Sequence, residues 1–275
     1  MAVLAAAFLH AAWNALAKGR GGHPLAGPFV IAAGSAATAL PLLLVTGLPA
    51  PAAHGAVLAS ALIHVAYFAL IGLAYRIADY SAIYPLIRGG APLATALLAL
   101  LILGERLSLQ ASLGLALLCA GIVGLGAEAL RRGSLDGRSL LVAAATAGIV
   151  VAYTLVDGIG ARAAGSAPAY LLAMMGLTGV MVVPLFLILG GRALWDAARP
   201  AWARGLLGGA MANLSYGTAL WAMTLAPIGL VGAVRETSVL FATAIGAFAL
   251  KERFGATRWL AAAAIAAGLM LARAG

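Results

Sequence analysis

Residues 84–107 read YPLIRGGAPLATALLALLILGERL, an apolar segment long enough to cross a membrane as one helix. Its central stretch, Leu93 to Leu103, leaves no polar face, so it does not fit the amphipathic helix of a soluble bundle. Residues 231–254 read VGAVRETSVLFATAIGAFALKERF and carry an arginine and a Glu-Arg pair at the same register, 147 residues further on. This shared spacing predicts a duplicated membrane chain.

The composition of the chain supports the same class. Hydrophobic residues make up 64% and charged residues 9%, and the mean hydropathy is +1.06, values typical of a polytopic membrane protein. The net charge of +9 is scattered over short loops, which predicts contact with anionic membrane lipids and no binding of nucleic acid. Cys119 is the only cysteine, and the four histidines lack metal-ligand spacing, so we expect neither a metal site nor a cofactor.

Ten apolar segments of the chain fit the length of a transmembrane helix. They cover residues 2–17, 26–47, 55–75, 80–103, 108–130, 138–161, 167–190, 204–225, 228–250 and 256–273. The register divides the chain into two five-helix repeats, 1–131 and 138–275. Because five is odd, the second repeat must cross in the opposite sense, which predicts an all-α polytopic membrane protein with ten transmembrane helices in two inverted repeats.

The distribution of basic residues predicts an orientation. Loops after odd-numbered helices carry twelve lysines and arginines, whereas the opposite side carries three. The positive-inside rule then places the odd loops in the cytoplasm and both termini outside. The expected location is the cytoplasmic (inner) membrane of a bacterium.

Two arginines inside apolar spans are the strongest functional signal. Arg88 and Arg235 each lie about eight residues, or roughly 12 Å, from the start of their helix, and would therefore bracket the midplane. A guanidinium stays charged and offers five donors, which suits a carboxylate or phosphate. The alternative is a structural arginine satisfied by an acid or by helix carbonyls, and Glu236 adjoins Arg235.

Two buried acids are candidates for proton coupling. Glu236 follows Arg235 directly, and adjacent helical residues point about 100° apart, which predicts that Glu236 faces a neighbouring helix or the cavity. Asp157 lies in the sixth span. An intramembrane carboxylate is either a proton-coupling group or a structural polar contact.

Other polar residues recur at helical spacing and complete the predicted substrate site. Tyr84 and Ser81 lie on the same stripe as Arg88, four and seven residues before it. Polar or aromatic faces on further helices contain His10, Trp13, Asn14, His64, Tyr67, Tyr153, Asn213 and Tyr216. For any one of them, an interhelical hydrogen bond or packing is the alternative to contact with substrate.

Four segments together resemble a known family. Residues 10–18 (HAAWNALAK), 84–90 (YPLIRGG), 103–107 (LGERL) and 235–241 (RETSVLF) resemble the EamA-type carriers of the drug/metabolite transporter superfamily, and the likeness extends over essentially the whole chain. The resemblance implies ten helices in two inverted halves, alternating access around a central cavity, and a monomer or homodimer. It also implies an anionic substrate group, because helices four and nine of the plastid sugar-phosphate members carry basic residues that hold phosphate.

One departure from the superfamily concerns coupling. Its small multidrug members use a glutamate in the first helix, where this chain has Trp13-Asn14 and no acid. The resemblance therefore does not transfer that coupling mechanism.

These observations predict a secondary transporter that moves a small polar metabolite carrying a carboxylate or phosphate. A proton-coupled exporter of cationic or aromatic amphiphiles is the alternative. An intramembrane enzyme acting on lipid-linked substrates would need a convergent nucleophile, base or metal set. The sequence offers none, so we expect no enzymatic activity.

Overall fold

A computed structural model describes residues 2–17, 23, 25–77, 80–131, 136–238, 241 and 256–273, and every regular element in these ranges is helical. The all-α prediction is therefore confirmed for the described residues. The helices are α1 (Ala2–Ala17), α2 (Ala26–Thr46), α3 (His54–Ile77), α4 (Tyr80–Leu103), α5 (Leu109–Arg131), α6 (Gly137–Ala163), α7 (Ala167–Ala198), α8 (Trp202–Met223), α9 (Ile228–Glu236) and α10 (Ala256–Arg273).

The surface of these helices is that of a membrane-embedded protein. Four stretches of the described chain are long and apolar enough to cross a membrane. Large apolar side chains are exposed along them, with Leu44 at 89%, Val45 at 84% and Ile188 at 80%. Soluble monomers rarely expose contiguous apolar surface on this scale, whereas lipid-facing helices must. The number of membrane spans and the inverted relation of the two repeats stay predictions.

Local sequence explains where several helices begin and end. Asp136 accepts hydrogen bonds from the backbone N–H and the hydroxyl of Ser139, at 2.8 and 2.6 Å, and so caps the start of α6. These two bonds lower the pKa of Asp136 below its ordinary value of 3.8. At the start of α7, Ser166 accepts from the Ala169 N–H at 3.3 Å. The predicted end of this span at 190 coincides with Gly191, whose φ of +56° interrupts α7.

One compact unit, unit 1, comprises residues 1–72 and 156–225. In it α2 packs against α7 and α8, and α8 also packs against α1. An apolar cluster that includes Phe29, Ile31, Val182 and Phe186 is buried among these helices. The α2–α8 crossing is close because glycines meet there, and a Cβ placed on Gly34 would lie 2.0 Å from the Gly205 carbonyl oxygen.

The other compact unit, unit 2, comprises residues 73–155 and 226–275. Here α5 packs against α10 and α4, and α4 packs against α9. A Cβ on Gly114 of α5 would lie 2.4 Å from the backbone nitrogen of Ala272 in α10. The small residues of α5 and α10 therefore serve packing within this unit. Each unit contains helices from both predicted repeats. The repeats themselves stay a prediction from the sequence.

Candidate functional site

Asp157 is the centre of a hydrogen-bonded cluster inside unit 1. Its side chain is fully buried, and Tyr170 of α7 donates to Oδ1 at 2.9 Å, while Tyr216 of α8 donates a short hydrogen bond to Oδ2. Within the part of the chain that the structure describes, no lysine or arginine forms a salt bridge with this carboxylate. Two phenol hydroxyl groups, rather than a cation, thus hold the Asp157 carboxylate.

His64 extends this cluster along α3. Its Nδ1 lies 2.9 Å from the carbonyl oxygen of Ser60 and 3.2 Å from the Ser60 hydroxyl. Its ring lies 6.1 Å from the Tyr216 ring and 6.3 Å from the Tyr67 ring, measured between centroids. The structure therefore brings together four residues singled out from the sequence: Asp157, Tyr216, His64 and Tyr67.

Tyr170 is the member of the cluster that sequence reasoning missed. Its neighbours, Leu171 and Leu172, are apolar, and the sequence there indicates only a membrane span. One signal could have found it: a tyrosine hydroxyl buried inside a span needs an acceptor, and Asp157 is the acid in the preceding helix.

The predicted face of α1 also lies in unit 1. The rings of His10 and Trp13 meet edge to face, with centroids 5.1 Å apart. Asn14 donates from Nδ2 to the His10 carbonyl oxygen at 2.7 Å, so part of its polarity is satisfied within its own helix. Trp13 packs against the apolar cluster of unit 1, while its buried indole Nε1 has no hydrogen-bond partner among the described residues.

Asn213 of α8 forms an interhelical clamp with α2. It accepts from the Ser35 hydroxyl at 2.6 Å and donates to the Ser35 carbonyl oxygen and the Thr38 hydroxyl, both at 2.9 Å. These three bonds occupy the amide on both its oxygen and its nitrogen. The contacts therefore favour the interhelical alternative for Asn213 over contact with substrate.

Arg235 lies in the interior of unit 2 and is only 2% exposed. Its guanidinium carbon lies 5.9 Å from the centroid of the Tyr153 ring, within the range of a cation–π contact. Its Nη2 atom lies 3.8 Å from Oε1 of Glu236, which is also 2% exposed. Although adjacent helical residues point about 100° apart, the two side chains therefore approach each other at their ends, and whether Glu236 faces a neighbouring helix or the cavity stays a prediction.

The helix that carries Arg235 is interrupted two residues after it, at Thr237. α9 ends at Glu236, whereas the sequence predicted an unbroken span over 228–250. The Thr237 N–H bonds to the carbonyl oxygens of Val234 and Arg235, in place of the α-helical partner four residues back, and Ser238 is helical again. Irregular backbone at membrane depth is tolerated where it is buried in protein or lines a cavity, and mid-helix turns of this kind often mark functional hinges.

The Gly-Glu-Arg-Leu segment has a structural explanation in unit 2. Gly104, with φ of +65°, ends α4, and its N–H bonds to the Leu100 carbonyl oxygen at 3.1 Å. Glu105 then accepts at Oε2 from the Ile228 N–H at 2.8 Å, across 123 residues of sequence. A carboxylate at the first N–H of α9 satisfies an otherwise free donor and complements the helix dipole. This motif therefore positions the helix that carries Arg235.

Three predicted site residues lie on α4. The backbone at Ser81, Tyr84 and Arg88 belongs to α4, but their side chains lie outside the described residues. Among the residues that are described, no three histidine, cysteine or acidic side chains converge as a metal site would require.

Comparisons with known proteins identify the fold alone. A crystal structure of another protein is similar over 98% of this chain and 94% of that chain, with a TM-score of 0.71 and 17% sequence identity. No family model and no curated protein sequence matches this chain.

Proposed function

We propose that this protein is a secondary transporter of a small polar metabolite that carries a carboxylate or phosphate. The observation that carries the proposal is the buried Arg235 at the interruption of α9. A permanent cation is costly inside a membrane protein, and such residues mostly mark substrate or ion paths. The interruption comes after nine helical residues, about 13 Å along the helix and so near the middle of a bilayer core.

The chemistry of Arg235 favours an anion. A guanidinium presents a planar fork of donors that matches the two oxygens of a carboxylate or the edge of a phosphate. The face of the Tyr153 ring can hold the Arg235 guanidinium in one orientation through their cation–π contact. Glu236 makes a structural ion pair the alternative, although the separation of 3.8 Å is too long for a hydrogen bond.

Asp157 is the better supported of the two proton-coupling candidates. It accepts two phenol hydrogen bonds and has no cationic partner among the described residues, whereas Glu236 adjoins Arg235. A protonated Asp157 would gain an O–H donor that needs an acceptor, and either phenol oxygen can accept from it by reversing its hydrogen bond. Since Tyr170 belongs to α7 and Tyr216 to α8, a proton on Asp157 would change a bond between helices.

The mechanism that fits this proposal is alternating access in an inverted-repeat carrier. Three observed pairings, α2 with α7, α4 with α9 and α5 with α10, join helices of equal rank in the two predicted repeats. Such pairing supports duplication, as does the resemblance to EamA-type carriers. A location in a bacterial inner membrane, with both termini outside, belongs to the same proposal.

A proton-coupled exporter of cationic amphiphiles is the second candidate. A buried carboxylate is the group such an exporter requires, and Asp157 supplies one in unit 1 among aromatic side chains. The two candidates differ in the charge of their substrate, which an experiment can determine directly.

The deciding experiment measures thermal stabilisation of the purified protein by carboxylates, phosphates, cations and aromatic amphiphiles. A ligand present at about 100 times its dissociation constant adds roughly 2.7 kcal/mol to the stability of the folded state. We expect anions to stabilise the wild type but not Arg235→Gln. Arg204→Gln is the matched control, because Arg204 is an exposed arginine of α8.

A second variant covers the possibility that Arg235→Gln fails to fold. Arg235→Lys keeps the charge but loses the planar fork, so it should fold and bind the same anions more weakly. Equal stabilisation of wild type and Arg235→Lys, or stabilisation by cations alone, would contradict the anion-carrier proposal.

A further inference from the structure

Ser238, three residues after Arg235, is buried and has an unsatisfied hydroxyl group. Its side chain is 1% exposed, and its Oγ has no hydrogen-bond partner in the described parts of the chain. It follows Arg235 by three residues, across the turn at Thr237, and lies about 15 Å from the start of α9. Because Thr237 keeps right-handed helical backbone angles, with φ of −60° and ψ of −10°, a spacing of three residues places Arg235 and Ser238 on the same side of the chain.

The local acceptor that usually satisfies a helical serine is already in use. Serine and threonine in helices commonly donate to the carbonyl oxygen four residues back, as Thr154 does to Val150 at 2.6 Å. For Ser238 that acceptor is the Val234 oxygen. It already accepts the Thr237 hydroxyl at 2.7 Å and the Thr237 N–H, which together use both of its lone pairs.

Other buried hydroxyl groups in the described ranges do find acceptors. Ser215 donates to the Ala6 carbonyl oxygen at 2.7 Å, Ser35 donates to Asn213 at 2.6 Å, and Thr146 donates to the Val142 carbonyl oxygen at 2.7 Å. An unsatisfied buried hydroxyl is costly, and native proteins keep few of them. The exception at Ser238 therefore points to an acceptor that arrives with a ligand.

We propose that Ser238 donates a hydrogen bond to the same substrate oxyanion that Arg235 binds. This inference rests on the proposed anion transport and adds a second, neutral donor to that site. One guanidinium and one hydroxyl on the same helix side match the two oxygens of a carboxylate or two oxygens of a phosphate. Ser238 thus contributes to the choice of substrate, because a ligand without a second acceptor oxygen cannot use it.

The test compares Ser238→Ala with Ser215→Ala, two identical changes at positions that are each 1% exposed. Without ligand, Ser215→Ala should lower the melting temperature because it removes a satisfied hydrogen bond. Ser238→Ala should leave the melting temperature unchanged or raise it, because it removes an unsatisfied one. A decrease for Ser238→Ala equal to that of Ser215→Ala would show a structural partner for Ser238 and would overturn the inference.

The second arm measures binding of inorganic phosphate and of succinate by the same variants. Loss of a hydrogen bond to a charged group predicts that Ser238→Ala binds at least one of them about tenfold more weakly or worse. Ser215→Ala should bind as the wild type does, and Ser238→Thr, which keeps the hydroxyl, should restore binding.

The outcomes separate the two proposals. If the wild type binds neither anion, the proposed function fails and the assignment of Ser238 fails with it. If the wild type and Ser238→Ala bind both anions equally while Arg235→Lys binds them more weakly, only the assignment of Ser238 is overturned.

Discussion

Replacing Gly209 by alanine would force α2 and α8 apart. A Cβ at this position would lie 2.1 Å from the Ser35 backbone nitrogen and 2.3 Å from the Gly34 carbonyl carbon, whereas ordinary contact begins at 3.4 Å. Both obstructing atoms belong to the backbone of α2, so no side-chain rotation can relieve the contact. The two helices must therefore separate locally by about 1 Å.

The free-energy cost of that separation includes the hydrogen bonds that join α8 to α2 at Asn213. Asn213 lies one turn beyond Gly209, and its three hydrogen bonds to α2, now 2.6 to 2.9 Å long, would stretch past 3.5 Å. Such bonds average about 0.6 kcal/mol within membrane proteins, so roughly 2 kcal/mol is lost. Overpacking adds about 1–3 kcal/mol. The better helix propensity of alanine returns about 1 kcal/mol, which leaves a net loss of about 2–4 kcal/mol.

Unfolding by denaturant in mixed micelles, followed by circular dichroism, measures this loss. The control is Gly148→Ala in α6, where a new Cβ would meet no described atom within 4 Å. That variant should be stabilised by about 1 kcal/mol from helix propensity alone. If Gly209→Ala proved as stable as Gly148→Ala, the close α2–α8 contact and the clamp at Asn213 would be refuted.

Three further predictions concern individual carboxylates. Glu105→Gln should destabilise the start of α9 by about 0.3–1 kcal/mol, because the charge that complements the helix dipole is lost. Hydrogen exchange should become faster at the start of α9 and stay unchanged in α7. Tyr216→Phe should destabilise the wild-type protein by about 1.5–3 kcal/mol, because it removes a hydrogen bond to a charged group. The same change should cost much less in an Asp157→Asn background. A double-mutant cycle that shows no coupling would contradict the hydrogen bond between Tyr216 and Asp157. Because Ser139 lowers the pKa of Asp136, the cap on α6 should be fully stabilising above pH 3.8 and lost as the pH falls through the lower folded value. Hydrogen exchange at the start of α6 against pH tests this, and Asp136→Asn should remove the dependence.

Apolar length and turn residues were sufficient to predict most helix bounds. The segment predicted at 80–103 is α4 with the same limits, because apolar residues run unbroken from Ala96 up to Gly104. The segment predicted at 167–190 ends at the interruption caused by Gly191, although helix resumes beyond it. In both places a glycine with positive φ supplies a local signal that a single sequence carries.

The interruption of α9 had no comparable signal. The residues around it, Val234 to Ser238, include neither glycine nor proline, so hydropathy predicted a continuous span. The turn is established by hydrogen bonds from both the backbone and the hydroxyl of Thr237, a choice that depends on tertiary surroundings. Likewise, the partnership of Glu105 with Ile228 spans 123 residues, a distance in sequence that spacing arguments do not reach.

Hydrogen bonds distinguish Asn213 from Ser238, two polar residues that the sequence places in similar apolar surroundings. Asn213 and Ser238 are both polar residues inside predicted spans, and the sequence favoured Asn213 as a site residue. Asn213 forms three hydrogen bonds between α8 and α2, while the Ser238 hydroxyl has no partner among the described residues. Since lipid offers no hydrogen bonds, a buried polar group must find its partner in the protein or in a ligand. Ser238, whose hydroxyl finds no partner among the described residues and which follows a buried arginine by three positions, is therefore a stronger indication of substrate contact than Asn213.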